Sequence, residues 1–535
     1  MKAWLGTRTA AAVAIAISLL FALPSLRLGF VTDDQGFRAR LHSDRAPAAW
    51  DLFAFQNGDP IENGLLVRYG RLPWWSAPDL QIRFARPLTG ELFAADDAAF
   101  GDNAVLYHVH SLAWFALLLV GVAALFRALA QRGRLAPEAA TLALLCFGLA
   151  GAHAQGYAWL SARHVLVGAA GVAWALALYE RTDSRWRWLA ILPLVIGMLG
   201  SEAALGGVPL WLALAWQRGN KRDLAIPFAL GIVYLVAYTH FGFGTHSSGG
   251  YHDPIHEPLA FLRVAIARIP VLLADGFLGL PVALNLVAIS LAALILFAAA
   301  WRYAGTNLLL FAAAGFLALL PGVAGFPTGR VLIVPDLAFC AVLGAIIARA
   351  ADKKLLIILA AARFAWAPIY SLGEQKQLAI RGARTDRIAR EAKDLVPEGG
   401  RAVLIASADP FVYLYPRAVL AETNPHWITC WSTLSGVRGP HTLTRLTDRS
   451  FRLEPTNPFL TGFDALFRTP SLPLAIGDPF EQCGGQITIT SLSPPKLEIR
   501  YQRALDDPKL TFLTYTTGHL ARFTFPAINA STTID

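Results

Sequence analysis

Charge is scarce in this chain. Only 16% of its 535 residues are Asp, Glu, Lys or Arg, against 55% apolar, a balance that excludes an ordinary soluble protein. Cysteine is also scarce: the four residues show no C-x-x-C or zinc-type spacing, which excludes a structural zinc module. Internal repeats and low-complexity tracts are lacking. So are the matched, broken apolar segments of inverted repeats, which argues against a transporter. The net charge of +9 comes with no basic and aromatic stripe, so no nucleic-acid partner is expected.

What is present is a series of apolar blocks of membrane-spanning length. They fall near 8–29, 106–128, 138–156, 164–180, 186–200, 203–217, 223–242, 280–300, 306–325, 331–349 and 354–372, or about eleven spans. The first block has the basic start and apolar core of a signal peptide. Its length and the lack of a small-residue cleavage site make it a retained anchor.

Lys and Arg collect in alternate short loops: Arg127, Arg132 and Arg134; Arg181, Arg185 and Arg187; Arg218, Lys221 and Arg222; Arg302; Arg349, Lys353 and Lys354. The intervening short loops carry only Arg163 and Arg330. This bias places the N-terminus in the cytoplasm, and the first loop and C-terminal region outside, in the periplasm or extracellular space. An integral protein of the bacterial inner membrane is expected.

The chain thus divides into a mainly α, polytopic helical bundle over 1–372, including a long outer loop at 30–105, and an outer α/β or β-rich domain over 373–535. The outer domain opens with a helix-like stretch, "QLAIRGARTDRIAREAKDLV", and continues with strand-like runs such as "QITITSL" and "KLEIRYQ". Trp74 and Trp75 in the loop suit an interfacial anchor, with substrate stacking the alternative. Cys146 and Cys340 fall in apolar runs as small buried thiols. Cys430 and Cys483 both lie in the outer domain, where oxidising conditions permit a disulfide that sequence alone does not decide.

Ionisable groups at the edge of a membrane usually face an aqueous cavity. Asp33 and Asp34 follow the first span directly, and two adjacent carboxylates raise each other's pKa, which suits a general base. Arg163 and Arg330 sit where the charge bias disfavours Arg; holding an anionic substrate and anchoring to lipid headgroups are the two readings. Glu202 could pair with one of them. His252 and His256, in "YHDPIHEP", are weak candidates for a divalent metal; substrate contact or solvation is the preferred reading, and no cofactor is required. Asp96, Asp97 and Asp102 read as a capping and solvated patch.

Three motifs in order carry a resemblance. "TDD" followed by "RPL", "FG" and "LYH" supplies Asp33, Asp34, Arg86, Pro87, Leu88, Gly101, Tyr107 and His108; "WLSAR" spans 159–163; "GRVLIVPDLAFC" spans 329–340. This pattern resembles the GT-C superfamily of polyprenyl-phosphate-sugar-dependent glycosyltransferases, within it the protein O-mannosyltransferase-like group. The sequence departs at Ser201–Glu202, where the family often has Lys–Glu, and at Ser111, where it often has Asn; tetratricopeptide repeats are missing. The resemblance implies a membrane-embedded inverting glycosyltransferase. It would move a sugar, mannose being the family's usual one, from a polyprenyl phosphate to a hydroxyl on a protein, lipid or glycan. Asp33 would be the base and Asp34 its neighbour, Arg330 and Arg163 would hold the phosphate, and Arg86 and His108 would shape the cavity. The Ala- and Arg-rich, Met-poor composition fits a bacterial undecaprenyl carrier. A non-catalytic assembly or sensor protein is the competing class.

Overall fold

The computed structural model describes residues 2–44, 46–181, 185–282, 290–291, 298, 308–424 and 426–534. The expected span near 280–300 and the loop holding Arg302 therefore lie largely or wholly outside the described residues. The chain is an integral membrane protein, mainly helical, with a β-rich C-terminal region.

Five described helices are long and apolar enough to cross a bilayer: Arg8–Arg27, Ala104–Gln131, Leu160–Arg181, Arg222–His240 and Lys353–Leu395. Pro137–Gly148 and Gly151–Ala158 reach that length and hydropathy only together, as a pair joined at a 48° bend: a broken span or a re-entrant loop. The other expected spans are shorter or broken. Trp186–Gly200 and Leu309–Val323 are short apolar pieces, and Asp336–Arg349 runs 14 residues. At the end of Ile191–Gly200 the break is chemical: Ser201 is extended and its hydroxyl caps the next turn by accepting from Ala203 N. A helix at Pro258–Leu278 occupies what the hydropathy pattern leaves as loop. Its Leu259, Leu262 and Ile266 are exposed while Phe261 and Ala265 are buried.

The almost wholly buried Leu160–Arg181 helix forms the centre of the bundle. Its approach to Ile191–Gly200 depends on small residues: a Cβ on Gly171 would stand 2.3 Å from Pro193 O and 2.6 Å from Gly197 Cα. The basic loops gather at one end, where Arg134 reaches Glu180 at 2.9 Å and Arg187 reaches Asp223 at 3.0 Å.

At the other end, the long loop folds into helices Asp33–Leu41, Pro60–Arg68 and Pro87–Phe100 and strands Ala54–Asn57 and Gln81–Arg83. These strands form a three-stranded antiparallel sheet with Gly244–His246, which comes from a different loop. Trp74 and Trp75 do not lie at a headgroup surface. Both are buried, with Trp74 packed on Trp75, Phe459 and Phe480 and its Nε1 donating to Leu434 O at 2.9 Å. The C-terminal domain covers them, so they join that domain's core.

The C-terminal region begins within a helix: residue 373, the expected boundary, falls inside Ala367–Leu395, which continues from Lys353 without a loop. A four-stranded mixed sheet and a six-stranded antiparallel sheet follow. Cys430, in the first sheet, is bonded to Cys483, at the end of the Pro479–Gln482 strand of the second, with Cα atoms 5.5 Å apart. Cys146 and Cys340 are buried free thiols.

Candidate active site

The three motifs meet in space. Trp159 of "WLSAR" donates through Nε1 to Val31 O at 3.2 Å, and the guanidinium of Arg330 lies 4.8 Å from the centre of the Trp159 ring. Asp34 completes the junction: Oδ1 accepts from Ser161 N at 2.7 Å and from the Ser161 hydroxyl, and Oδ2 accepts from Val31 N at 2.9 Å.

These contacts separate the two adjacent carboxylates. Asp34 is fully buried, and burial pushes its carboxyl up to about 7 against the opposing pull of Ser161 and the backbone donors. Its oxygens are occupied in bracing the chain. Asp33 instead lines a cavity of about 220 Å³. It opens the helix Asp33–Leu41, and Thr32 just before it holds φ 52° and ψ −108°, a backbone strain of about 1–3 kcal/mol for a β-branched residue. Burial raises the Asp33 pKa; a hydrogen bond from Tyr415 and the positive charges of Arg330 and Arg86 oppose the rise.

Of the residues selected from the sequence, Asp33, Arg86, Glu202 and Arg330 share this cavity. Glu202 pairs with neither Arg163 nor Arg330. It takes both prongs of Arg86, with Arg86 Nε 2.8 Å from Oε2 and Arg86 Nη2 on Oε1. The Arg86 guanidinium also lies over Phe84 and Phe53. Arg330 has no carboxylate and no hydrogen-bond acceptor among the described residues.

Arg163 and His108 do not line the cavity. Arg163 is buried in a closed network: Nε donates to Ser111 Oγ at 2.8 Å, Nη2 to Tyr107 O at 2.9 Å, and Nη1 pairs with Asp96. Its donors are satisfied by the protein. Ser111, the departure from the family pattern, is the residue that meets it. His108 is wholly buried behind the first loop, Nε2 3.5 Å from Gly29 O. The acidic patch is not simply solvated either. Asp96 serves Arg163, Asp97 pairs with Arg38 at 3.2 Å, and only Asp102 is fully exposed.

His252 and His256 lie outside the cavity lining, paired with Glu257 at 3.4 Å and Asp253 at 2.9 Å; Asp253 itself reaches the wall. Among the described residues no group of three or more His, Cys, Asp or Glu side chains is placed to hold a metal ion.

Sequence reasoning missed much of the wall. His164, immediately after "WLSAR", lines it with Nδ1 2.9 Å from Ser201 Oγ. Tyr234, Tyr238, Tyr251, Phe37, Phe53, Phe55 and Phe84 supply aromatic faces. Position next to a motif could have found His164. The aromatic residues come from the first loop and from the Arg222–His240 helix with the loop that follows it, two segments far apart in sequence.

No protein-family model and no curated protein sequence matches the chain. Solved structures similar to it at low identity include the following two. The oligosaccharyltransferase of Archaeoglobus fulgidus, tethered to an acceptor peptide containing an NVT sequon, is 14% identical with a TM-score of 0.39; the match covers 78% of this chain and 63% of that one. ArnT from Cupriavidus metallidurans, bound to undecaprenyl phosphate, is 12% identical with a TM-score of 0.38, over 91% of this chain and 97% of that one.

Proposed function

We propose that the chain is an inverting glycosyltransferase of GT-C type, taking a sugar from a polyprenyl phosphate to a hydroxyl acceptor at the outer membrane face. One observation carries the reading: a raised-pKa carboxylate, Asp33, and a guanidinium with no ion pair or hydrogen bond among the described residues, Arg330, line the same aromatic cavity.

The chemistry follows from those two groups. Asp33 accepts the proton of the acceptor hydroxyl as its oxygen bonds to the anomeric carbon. The bond from that carbon to the phosphate oxygen breaks, and polyprenyl phosphate leaves with its charge held by Arg330. The acceptor attacks opposite the leaving group, so configuration inverts. Arg86, neutralised by Glu202, fixes the wall, and the aromatic rings offer flat faces to a sugar ring. One unpaired cation suits a donor with one phosphate. Mannose is the sugar suggested by the motif resemblance, and a protein, lipid or glycan hydroxyl is the acceptor class.

The test is transfer of radiolabelled sugar in proteoliposomes. Undecaprenyl-phosphate mannose, glucose and galactose serve as donors, and solubilised envelope material as acceptor. Wild type transfers from one of them and Asp33→Asn loses about 100-fold or more of the rate. Equal rates for the two proteins overturn the assignment of the base.

A further inference from the structure

Asp33 is reached from two parts of the chain. The membrane part supplies the charged and titratable groups facing it: Arg330 and Arg86 on the cavity wall, the Tyr251 phenol, and the neighbouring Asp34. The C-terminal domain supplies its hydrogen-bond donor. Tyr415 lies between the short helices Pro410–Tyr413 and Pro416–Thr423, and its hydroxyl donates to Asp33 Oδ1 at 2.9 Å. Oδ2 has no hydrogen-bond partner among the described residues.

We propose that Tyr415 is a positioning residue for the reaction at Asp33, so that the C-terminal domain forms part of the catalytic assembly. The role in turnover rests on the glycosyltransferase reading; the hydrogen bond and its effect on Asp33 do not.

Three features make the contact a built one. The Tyr415 ring stacks on Phe411, centroids 5.8 Å apart and planes within 19°, and the guanidiniums of Arg381 and Arg384 lie over Phe411 at 5.2 and 5.8 Å. Both arginines belong to the helix that rises from the last span. The helix carrying Asp33 is tied to the same side twice more, by Gln35 Nε2 to Asp386 Oδ1 at 2.8 Å and Arg38 to Glu422 at 3.5 Å. Burial and the adjacent Asp33 carboxylate hold the Tyr415 phenol protonated, so it remains a donor while Asp33 is ionised.

The consequence is chemical. A donor on Oδ1 favours the ionised form of a buried carboxylate and fixes its plane, presenting Oδ2 to the incoming hydroxyl. Tyr415→Phe removes one oxygen atom and keeps the stacked ring.

The protonated fraction of Asp33 is read without any sugar substrate. The purified full chain is labelled with a water-soluble carbodiimide and glycine ethyl ester across pH 4 to 9, and the Asp33 peptide is quantified by mass spectrometry against an exposed carboxylate. In Tyr415→Phe the midpoint of Asp33 labelling moves up by about one pH unit, the scale of one lost hydrogen bond to a buried carboxylate. Tyr413→Phe, whose hydroxyl reaches Asp464 at 3.1 Å, leaves the midpoint in place. Coincident midpoints for wild type and Tyr415→Phe, with equal thermal melting of the two, overturn the proposal; so does an equal shift in Tyr413→Phe. In the transfer assay the acidic limb of kcat/KM moves with the labelling midpoint. If Asp33→Asn retains full transfer while the labelling shift is present, the glycosyltransferase assignment fails and the positioning of Asp33 by Tyr415 stands.

Discussion

Arg86 and Glu202 face each other in a two-pronged ion pair on the cavity wall, 116 residues apart in sequence. The pair cancels the charge of Arg86, while Arg330 on the same wall makes no ion pair among the described residues.

Removing that free cation should weaken donor binding first. Arg330→Ala is expected to raise the KM for lipid-linked sugar about 10–100-fold, the worth of a charge-assisted contact, with a smaller change in kcat. Arg330→Lys should recover only part, since a point charge replaces a planar fork. Initial rates against donor concentration in proteoliposomes separate the two parameters.

The Arg86–Glu202 pair should show strong coupling. Arg86→Gln or Glu202→Gln alone leaves a largely buried charge without its partner, whereas the double substitution removes both. A double-mutant cycle on kcat/KM is expected to give an interaction energy of about 1–3 kcal/mol. Additive effects would mean that the two residues act separately.

With Asp33 as the proposed base, its burial fixes the sign of the pH dependence expected for transfer. Its pKa is raised in the folded protein, and a base must be ionised, so transfer is lost as pH falls through that raised value. The acidic limb of kcat/KM should therefore lie above the ordinary carboxylate value of about 4. A limb at or below that value would point to another base.

The adjacent carboxylates should behave differently. Asp34→Asn keeps one acceptor oxygen at the junction and is expected to retain at least about a tenth of wild-type transfer, while Asp33→Asn loses about 100-fold or more. Asp34→Ala leaves the buried N–H groups of Val31 and Ser161 without acceptors and should lower stability by about 3 kcal/mol, measured as detergent-phase thermal melting.

The bond between Cys430 and Cys483 closes a loop across a sequence separation of 53. Loop-closure entropy puts its contribution at about 4 kcal/mol. Cys430→Ser with Cys483→Ser should lower the unfolding midpoint of the C-terminal domain accordingly, and reductant should do the same to wild type.

How far this site can be read from sequence depends on what each residue's neighbours are. Asp33, Glu202 and Arg330 were legible because charge at the end of an apolar run is costly and stands out, and Arg86 because it falls in the "RPL" motif. The charge argument also selected Arg163, and the motif resemblance His108, both of which turn inward. Pattern identifies a charge near a membrane edge, not the direction of its side chain, and Asp96 lies 67 residues from Arg163. The two aspartates show the limit most closely: successive positions on a helix diverge by about 100°, so one meets the cavity and the other Ser161. Tyr415, 382 residues from Asp33, carries no local signal. The helical body was legible from hydropathy, whereas the bend at 149–150 and the breaks near Ser201 depend on packing and caps.

The helix Lys353–Leu395 has 43 residues and would measure about 65 Å at ordinary helical rise, about twice the hydrocarbon thickness of a bilayer. Its C-terminal half carries Asp386, which accepts from Gln35, and Arg381 and Arg384, which frame the ring beneath Tyr415. One unbroken helix therefore joins an apolar segment of membrane-crossing length to the contacts that hold the Asp33 helix and the ring stacked on Tyr415.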